Sequence, residues 1–340
     1  MLLFHCVSSI LFTILQTALA SPLPAEDVFI RSLTKRDTIS GPKLNGANFP
    51  DPAIIFVDKW YAFATRTIGS KIHIQVATST DFNTWTLQRN ADGSQYNALP
   101  NIPAWAVQGN PNTWAPDVNQ LDDGSFVMYY SASTVQDTSK HCVGAAVSKS
   151  PLGPYTPTSD QPLVCPLSQG GAIDASGFND NGQRYIMYKV DGNSLGAGGP
   201  CNSGVPPLKP TPLMLQAVAS NGYTLQGNPT ALLDHNGASD DGILEAPVLV
   251  KKNGLYFLLF SSGCFTTTNY DVDYATATSV RGPYTRAATP LLSTGRNGLS
   301  GPGGADFSKD LKFMVFHANT NGGRAMYTAM VTVDGKQLSI

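Results

Sequence analysis

The chain repeats one phrase five times, and an internal repeat of this size leaves few folds open. An acidic residue opens a β-type apolar run, a polar turn follows, and a second and third strand come before the phrase restarts. The openings read Asp51-Pro-Ala-Ile-Ile-Phe-Val, Asp117-Val-Asn-Gln-Leu, Asp174-Ala-Ser-Gly-Phe, Glu245-Ala-Pro-Val-Leu-Val and Asp306-Phe-Ser. Intervals of 66, 57, 71 and 61 residues separate these acids. That is too regular for scattered carboxylates and is the size of one supersecondary unit. Five acids at one phase of the repeat are expected to converge on a single axis.

The remainder of each repeat supplies partner strands. Second strands are expected over 60–65, 125–131, 185–189, 255–261 and 312–317, and third strands over 72–79, 143–148, 215–220, 274–278 and 325–330. Asp122-Asp-Gly124, Asn181-Gly182 and Asn253-Gly254 sit between them and offer the positive-φ residues that tight hairpins prefer. Edge-like stretches at 82–86, 153–156 and 282–285 add a fourth strand. Nothing of useful length keeps an apolar period of 3.6, and 32 glycines and 24 prolines suit short strands joined by turns. The expectation is an all-β, five-bladed β-propeller of four-stranded antiparallel blades around a central funnel, forming one domain. Only 14% of residues are charged and the net charge is −2, with no basic stripe to neutralise phosphates, which argues against a nucleic-acid partner.

The first 36 residues stand apart from the repeats. Residues 1–20 have an apolar centre over 10–15 and end in Ala18-Leu-Ala20, a small-x-small cleavage site, and read as a secretory signal peptide. Their apolar core is shorter than the ~20 residues of a membrane span. Residues 21–36 read as a propeptide ending in the dibasic pair Lys35-Arg36, leaving 37–340 as the catalytic domain of a secreted, extracellular monomer with no membrane partner. Cysteine use agrees with export. Cys6 leaves with the signal peptide, so Cys142, Cys165, Cys201 and Cys264 remain. Three connectivities are open for four cysteines, and Cys142 with Cys165 plus Cys201 with Cys264 is the expected one. No pair has the short spacing of a zinc knuckle. No Asn-x-Ser/Thr sequon with x other than Pro occurs.

Three of the acids have proline neighbours: Asn48-Phe-Pro-Asp51-Pro-Ala, Thr113-Trp-Ala-Pro-Asp117-Val and Ile243-Leu-Glu245-Ala-Pro. Proline fixes the local backbone and denies it a helical setting, so each carboxyl is held rigidly. These three motifs, in this order and spacing, resemble the catalytic signatures of glycoside hydrolase family 43, which includes α-L-arabinofuranosidases, arabinanases and β-xylosidases. The resemblance runs over nearly the whole mature chain and includes the Asp174 segment. It implies that Asp51 is the general base, Glu245 the general acid and Asp117 the residue that orients the acid and raises its pKa.

Elementary chemistry supports the same division. Inverting hydrolysis needs one carboxylate to activate water and a protonated carboxyl to reach the leaving oxygen, roughly 6.5–9.5 Å apart. Blades one and four face each other across a funnel, and Glu is longer by a methylene than Asp. An acid that stays protonated near neutral pH needs burial or a nearby negative charge. Inversion is therefore expected.

Other funnel residues carry two readings each. Trp114 and Phe49 either pack beneath a sugar or belong to blade packing. Asp174 lies near the substrate by resemblance, or caps backbone N–H groups. Arg324 binds substrate or forms a surface salt bridge. His317 is a satisfied core histidine or, as the resemblance implies, contacts a water-coordinated structural calcium ion; no cofactor is required for the chemistry. Blade five departs from the family pattern, because Gly301-Pro-Gly-Gly-Ala-Asp306 lacks the histidine many relatives carry after Gly-Pro-Gly. The Gly- and Pro-rich insertion over 192–212, which holds Cys201, is expected to rim the pocket together with Gly263-Cys264-Phe265.

The partner this implies is a plant cell-wall polysaccharide or oligosaccharide, with α-L-arabinofuranosyl linkages of arabinan or arabinoxylan as the first choice and xylo-oligosaccharides as the second. A non-catalytic carbohydrate-binding propeller would need no opposed carboxyl pair. A retaining fructoside hydrolase would share the fold but not the Glu-Ala-Pro context. A protein-interaction propeller would show Gly-His and Trp-Asp signatures, which are absent.

Overall fold

The computed structural model describes residues 39–340, so the signal peptide, the dibasic site and Cys6 lie outside the described residues. Five four-stranded antiparallel sheets are present, as the repeat predicts. Blade 1 comprises Ala53–Phe56, Trp60–Ala64, Gln75–Ser79 and Thr86–Leu87, and blade 2 Trp114–Gln120, Phe126–Thr134, Asp137–Ser148 and Thr156–Pro157. Blade 3 is Ala172–Asp180, Gln183–Val190, Leu213–Val218 and Leu225–Leu233; blade 4 is Leu244–Lys252, Leu255–Ser262, Asp273–Ala277 and Thr285–Arg286. Blade 5 contains Gly303–Phe307, Phe313–Thr320 and Gly323–Met330, and borrows its outer strand, Ile39–Ser40, from the start of the described chain.

That borrowed strand closes the ring, which buries edges an open sheet would expose. The closure is stitched further by Lys43 N–H to Met326 O at 2.7 Å and Phe49 N–H to Arg324 O at 2.9 Å. The Lys43 ammonium donates to Ser40 Oγ at 2.7 Å and to Asn83 O at 2.9 Å, tying blade 5 to blade 1.

The apolar core fills the gaps between neighbouring blades. Second strands are its main contributors: Phe126–Thr134 is buried at every position, and Trp60–Ala64 likewise. Tyr61, Phe63, Met128 and Tyr130 pack together between blades 1 and 2, and Phe257, Leu259, Met314 and Phe316 between blades 4 and 5. Each fully buried apolar side chain of this size contributes about 1.5–3 kcal/mol. Strands buried on both faces read as near-continuous apolar runs, which is how these second strands appear in the sequence.

Both expected disulfides form, Cys142–Cys165 and Cys201–Cys264. The second spans 63 residues and ties the blade 3 insertion to the loop after the second strand of blade 4.

Candidate active site

Four of the five innermost strands begin with a break in the ladder. The register shifts between Trp114 and Asp117, Ile173 and Ser176, Glu245 and Val248, and Gly303 and Asp306. At the break the backbone turns to positive φ, at Ala115 (42°), Asp174 (56°), Ala246 (51°) and Gly304 (54°), and blade 1 has the same turn at Asp51 (53°). A left-handed residue outside glycine carries strain of order 1–3 kcal/mol, which chains accept mainly at functional sites. Asp tolerates that region better than most. Gly304 has a second reason to lack a side chain, since a Cβ there would lie 2.7 Å from the His317 ring.

The bulges fix the phase of every acid, and the phases differ. Asp51 and Asp174 occupy the bulge itself, Glu245 precedes it by one residue, and Asp117 and Asp306 follow it by two. Five equivalent acids were expected; three phases are found. Two residues along a strand is about 7 Å, so Asp117 and Asp306 form a second layer of carboxyls.

A ring of side chains at the end of the second strands supports the bulges. Thr65, Ser131, Ser261 and His317 each accept the bulge N–H of the following blade: Thr65 Oγ1 from Ala115 at 2.9 Å, Ser131 Oγ from Asp174 at 3.1 Å, Ser261 Oγ from Gly304 at 3.0 Å, and His317 Nδ1 from Asp51 at 3.1 Å. Because Thr65 accepts from Ala115, its own hydroxyl proton is free to go to Asp51 Oδ2, 2.6 Å away. Arg324 Nη1 donates to Asp51 Oδ1 at 2.8 Å. Burial alone would push Asp51 up, but the Arg324 guanidinium and the Thr65 hydroxyl outweigh it and hold the carboxyl below its usual range. Asp51 is an ionised carboxylate. Arg324 is therefore no surface salt bridge; it is the counter-ion of this carboxylate, and its guanidinium lies over the Phe265 ring, 4.7 Å from the centroid.

His317 is fully buried, and burial followed by the Arg324 charge lowers it to about 3, so it is neutral. With Nδ1 accepting from Asp51, the proton is on Nε2, which has no hydrogen-bond partner among the described residues. No three His, Cys, Asp or Glu side chains among the described residues gather to hold a metal. A calcium ion takes six to eight oxygen ligands. The expected contact is through water, and the unpartnered Nε2–H of His317 is the group that would make it; no chemical step is derived through an ion.

Glu245 stands in the opposite environment. Its Oε2 meets Lys189 Nζ at 3.0 Å and its Oε1 accepts from Tyr270 OH at 2.8 Å. Asp174 is the neighbouring carboxyl: its Oδ2 accepts the Ala246 N–H at 3.0 Å, and burial together with the Glu245 charge pushes it well above its usual range. Beside the Glu245 charge, buried Asp174 retains a proton where an isolated carboxyl would have lost its own. The Tyr270 ring stacks on His317 with centroids 5.7 Å apart, so the hydrogen-bond partner of Glu245 packs on that of the Asp51 backbone.

Asp117 does not flank Glu245. Its Oδ2 accepts from Gly177 N–H at 2.7 Å and from Asn119 Nδ2 at 2.6 Å. Burial raises it, the Lys309 ammonium opposes that, and its repulsion is felt at Asp306, itself buried and raised. The expected orienting role therefore lacks its geometry at Asp117, and Asp174 occupies the place instead.

The funnel is a cavity of about 750 Å³ lined by Asp51, Thr65, Trp114, Asp117, Asp174, Glu245, Phe265, Tyr270, Asp306 and Arg324, among others. Pockets of this size accommodate ligands of a few sugar units or less. Trp114 faces the cavity and is backed by the His141 ring, 3.6 Å away and nearly parallel, so it is a rigid platform. Burial lowers His141 to about 4 and keeps that backing neutral. Phe49, by contrast, is 1% exposed and does not line the cavity; it is a packing residue whose backbone N–H joins the ring closure at Arg324 O. The rim expectation holds in half. Phe265 and Thr266, Thr267 and Thr268 line the cavity, whereas the insertion over 192–212 does not and is joined to that loop through Cys201–Cys264. Thr65, Lys189, Tyr270 and His141 were not singled out by the sequence. Thr65 and Lys189 share a signal, since both end second strands at the ring position, while Tyr270 sits in a loop that carries none.

A five-bladed propeller whose funnel opposes an ionised carboxylate to a proton-retaining carboxyl pair has the equipment of a glycoside hydrolase. The chain belongs to the glycosyl hydrolases family 43, whose pattern it matches over residues 42–334. It is 27% identical to a β-D-galactofuranosidase of Aspergillus niger, over 82% of this chain and 78% of that one. It is 28% identical to the extracellular endo-α-(1→5)-L-arabinanase 1 of Bacillus subtilis, over 80% of this chain and 81% of that one. Among solved structures, a thermostable family-43 glycoside hydrolase superposes with a TM-score of 0.71 at 24% identity, covering 87% of this chain and 95% of the other.

Proposed function

We propose that the protein is a secreted, inverting hydrolase of α-L-arabinofuranosyl linkages in plant cell-wall arabinan or arabinoxylan. The observation that carries the mechanism is the opposite electrostatics of the two sites: Asp51 lies beside Arg324 and Thr65, whereas Glu245 lies beside the buried, proton-retaining Asp174. Asp51 takes a proton from water as the hydroxide oxygen bonds to the anomeric carbon. On the far side the glycosidic bond breaks and Glu245 delivers its proton to the leaving oxygen, so the sugar departs with inverted configuration. Asp174 keeps that proton in place, the role the sequence assigned to Asp117. Inversion is what the likeness of the Asp51, Asp117 and Glu245 motifs to the family's catalytic signatures implies.

The furanose assignment rests on the relatives: one acts on galactofuranosides and the other on an arabinan, both five-membered rings. Export is supported by the two disulfides, the signal-like first residues and the arabinanase relative named as extracellular.

The test is sugar release from arabinan, arabinoxylan and xylo-oligosaccharides by the secreted protein beside Asp51→Ala and Glu245→Ala, with the anomer of the first product read by proton NMR. Arabinose release as the inverted anomer, lost in both variants, is expected. Xylose release alone would replace the substrate, a retained anomer would overturn the mechanism, and binding without release would make the funnel a lectin site.

A further inference from the structure

The second-strand ring has one member that breaks its rule. Thr65, Ser131, Ser261 and His317 all accept a bulge N–H from the next blade. The fifth position, paired in the ladder with Ile173 as Ser131 is with Trp114 and Ser261 with Glu245, is Lys189. An ammonium has three donors and no acceptor, so it cannot hold the Ala246 N–H. Asp174 Oδ2 does that instead. Lys189 is 1% exposed, and a buried cation is costly unless paired. A threonine or serine would have served the fold at every other blade's cost.

Two bonds account for the cation. Lys189 Nζ lies 3.1 Å from Asp191 Oδ1 and 3.0 Å from Glu245 Oε2. The groups facing Glu245 are then complete: Lys189 from the second strand of blade 3 with Asp191 behind it, Asp174 from the first strand of blade 3, and Tyr270 from the loop after blade 4's second strand. Since Lys189 can only donate, Oε2 must be the bare acceptor oxygen whenever Glu245 carries a proton. Oε1 holds it instead, because the Tyr270 hydroxyl, unlike an ammonium, can turn from donor to acceptor.

We infer that Lys189 is a positioning residue that assigns the proton of Glu245 to Oε1 and limits how tightly that proton is kept. When the one proton of the Asp174–Glu245 pair sits on Glu245, Asp174 is the anion and Lys189 the cation on either side of that carboxyl: the first favours keeping the proton through the approach of substrate, the second favours its departure when the glycosidic oxygen demands it. The inference rests on Glu245 being the general acid of the proposed reaction.

The experiment records kcat/KM against pH for the full secreted protein with an α-1,5-linked arabino-oligosaccharide and with a 2,4-dinitrophenyl arabinofuranoside, whose leaving group needs no proton. Lys189→Met, the charge-balanced Lys189→Met/Asp191→Asn, Lys189→Arg and Glu245→Gln are compared. On the oligosaccharide the basic limb is expected to move up by about 1–3 pH units in both methionine variants, with the acid limb unmoved and the limb restored toward wild type in Lys189→Arg. The dinitrophenyl substrate is expected to show no such movement. Should Lys189→Met fail to fold on its unpaired Asp191, the double variant carries the test. A uniform fall in kcat with both limbs in place would make Lys189 purely structural and overturn the inference. Oligosaccharide hydrolysis by Glu245→Gln at the wild-type rate would instead overturn the function itself.

Discussion

The funnel holds two sets of carboxyls, and their contrast explains why identical side chains do different work. Asp51, Asp174 and Glu245 sit at or one residue before the bulges, where the backbone turns through positive φ and presents them to the cavity. Asp117 and Asp306 sit two residues later and spend their oxygens on backbone: Asp117 on Gly177 N–H at 2.7 Å, Asp306 on Ile54 N–H at 2.6 Å. Charge meets the first set unevenly, the Arg324 guanidinium at Asp51 and the Glu245 carboxylate at buried Asp174, which drives those two apart in proton affinity. The second set is raised by burial, to which the Asp117 charge adds at Asp306. Phase within the repeat, not residue type, separates chemistry from support.

Changes in the first set are expected to have the largest effects. Asp51→Asn and Glu245→Gln each remove a proton-transfer group and should lower kcat/KM on oligosaccharides by about 10²–10⁴-fold. Only Glu245→Gln should be spared on the dinitrophenyl substrate. Equal loss of both on that substrate would erase the division between base and acid.

The comparison turns more sharply on Asp174→Asn beside Asp117→Asn. Removing Asp174 leaves Glu245 with Lys189 alone, which favours its ionised form, so the basic limb of kcat/KM should fall by about 1–2 pH units. Activity at pH 7 should drop roughly tenfold or more. Asp117→Asn keeps an acceptor for Gly177 N–H and should leave the limb in place. The reverse result would return the orienting role to Asp117. Arg324→Met tests the other side. Loss of the cation raises Asp51, so the acid limb, which follows ionisation of the base, should move up by about one pH unit with the basic limb unmoved.

How the sequence concealed this is itself physical. The five blades were legible because apolar strands and turn residues repeat with a side-chain signature. The phase was not, because a bulge is a backbone event and its occupants, Asp51, Ala115, Asp174, Ala246 and Gly304, share no side-chain chemistry. Aligning the acids with one another therefore made Asp117 equivalent to Asp51 when its true counterpart is Ala115. A better ruler was present in Thr65, Ser131, Lys189, Ser261 and His317, which close the second strands expected from the sequence and, in blades 2 to 5, pair at the ladder break. Phe49 misled for a related reason: it adjoins a catalytic aspartate, but its side chain is buried and its backbone joins the closure of the ring. The Ile39–Ser40 strand, only two residues long, carries too little pattern to be read, although it completes the fifth sheet.

The smallest expected effect separates the two sets by stability. Asp306 is raised in the folded protein above its unfolded value, by burial first and the Asp117 charge second. A carboxyl raised on folding favours the fold while it stays protonated in both states. That contribution is full below the unfolded pKa near 4 and is lost as pH rises toward the folded value. Asp306→Asn mimics the protonated form and keeps an oxygen for Ile54 N–H. Its melting temperature should match wild type at pH 4 and exceed it by about 2 °C or more at pH 8, the shift that ~1 kcal/mol makes in a large domain. Activity should stay within a few-fold, because Asp306 lies beyond the bulge. A loss of activity as deep as that of Asp174→Asn, with no gain in melting temperature, would merge the two layers into one site.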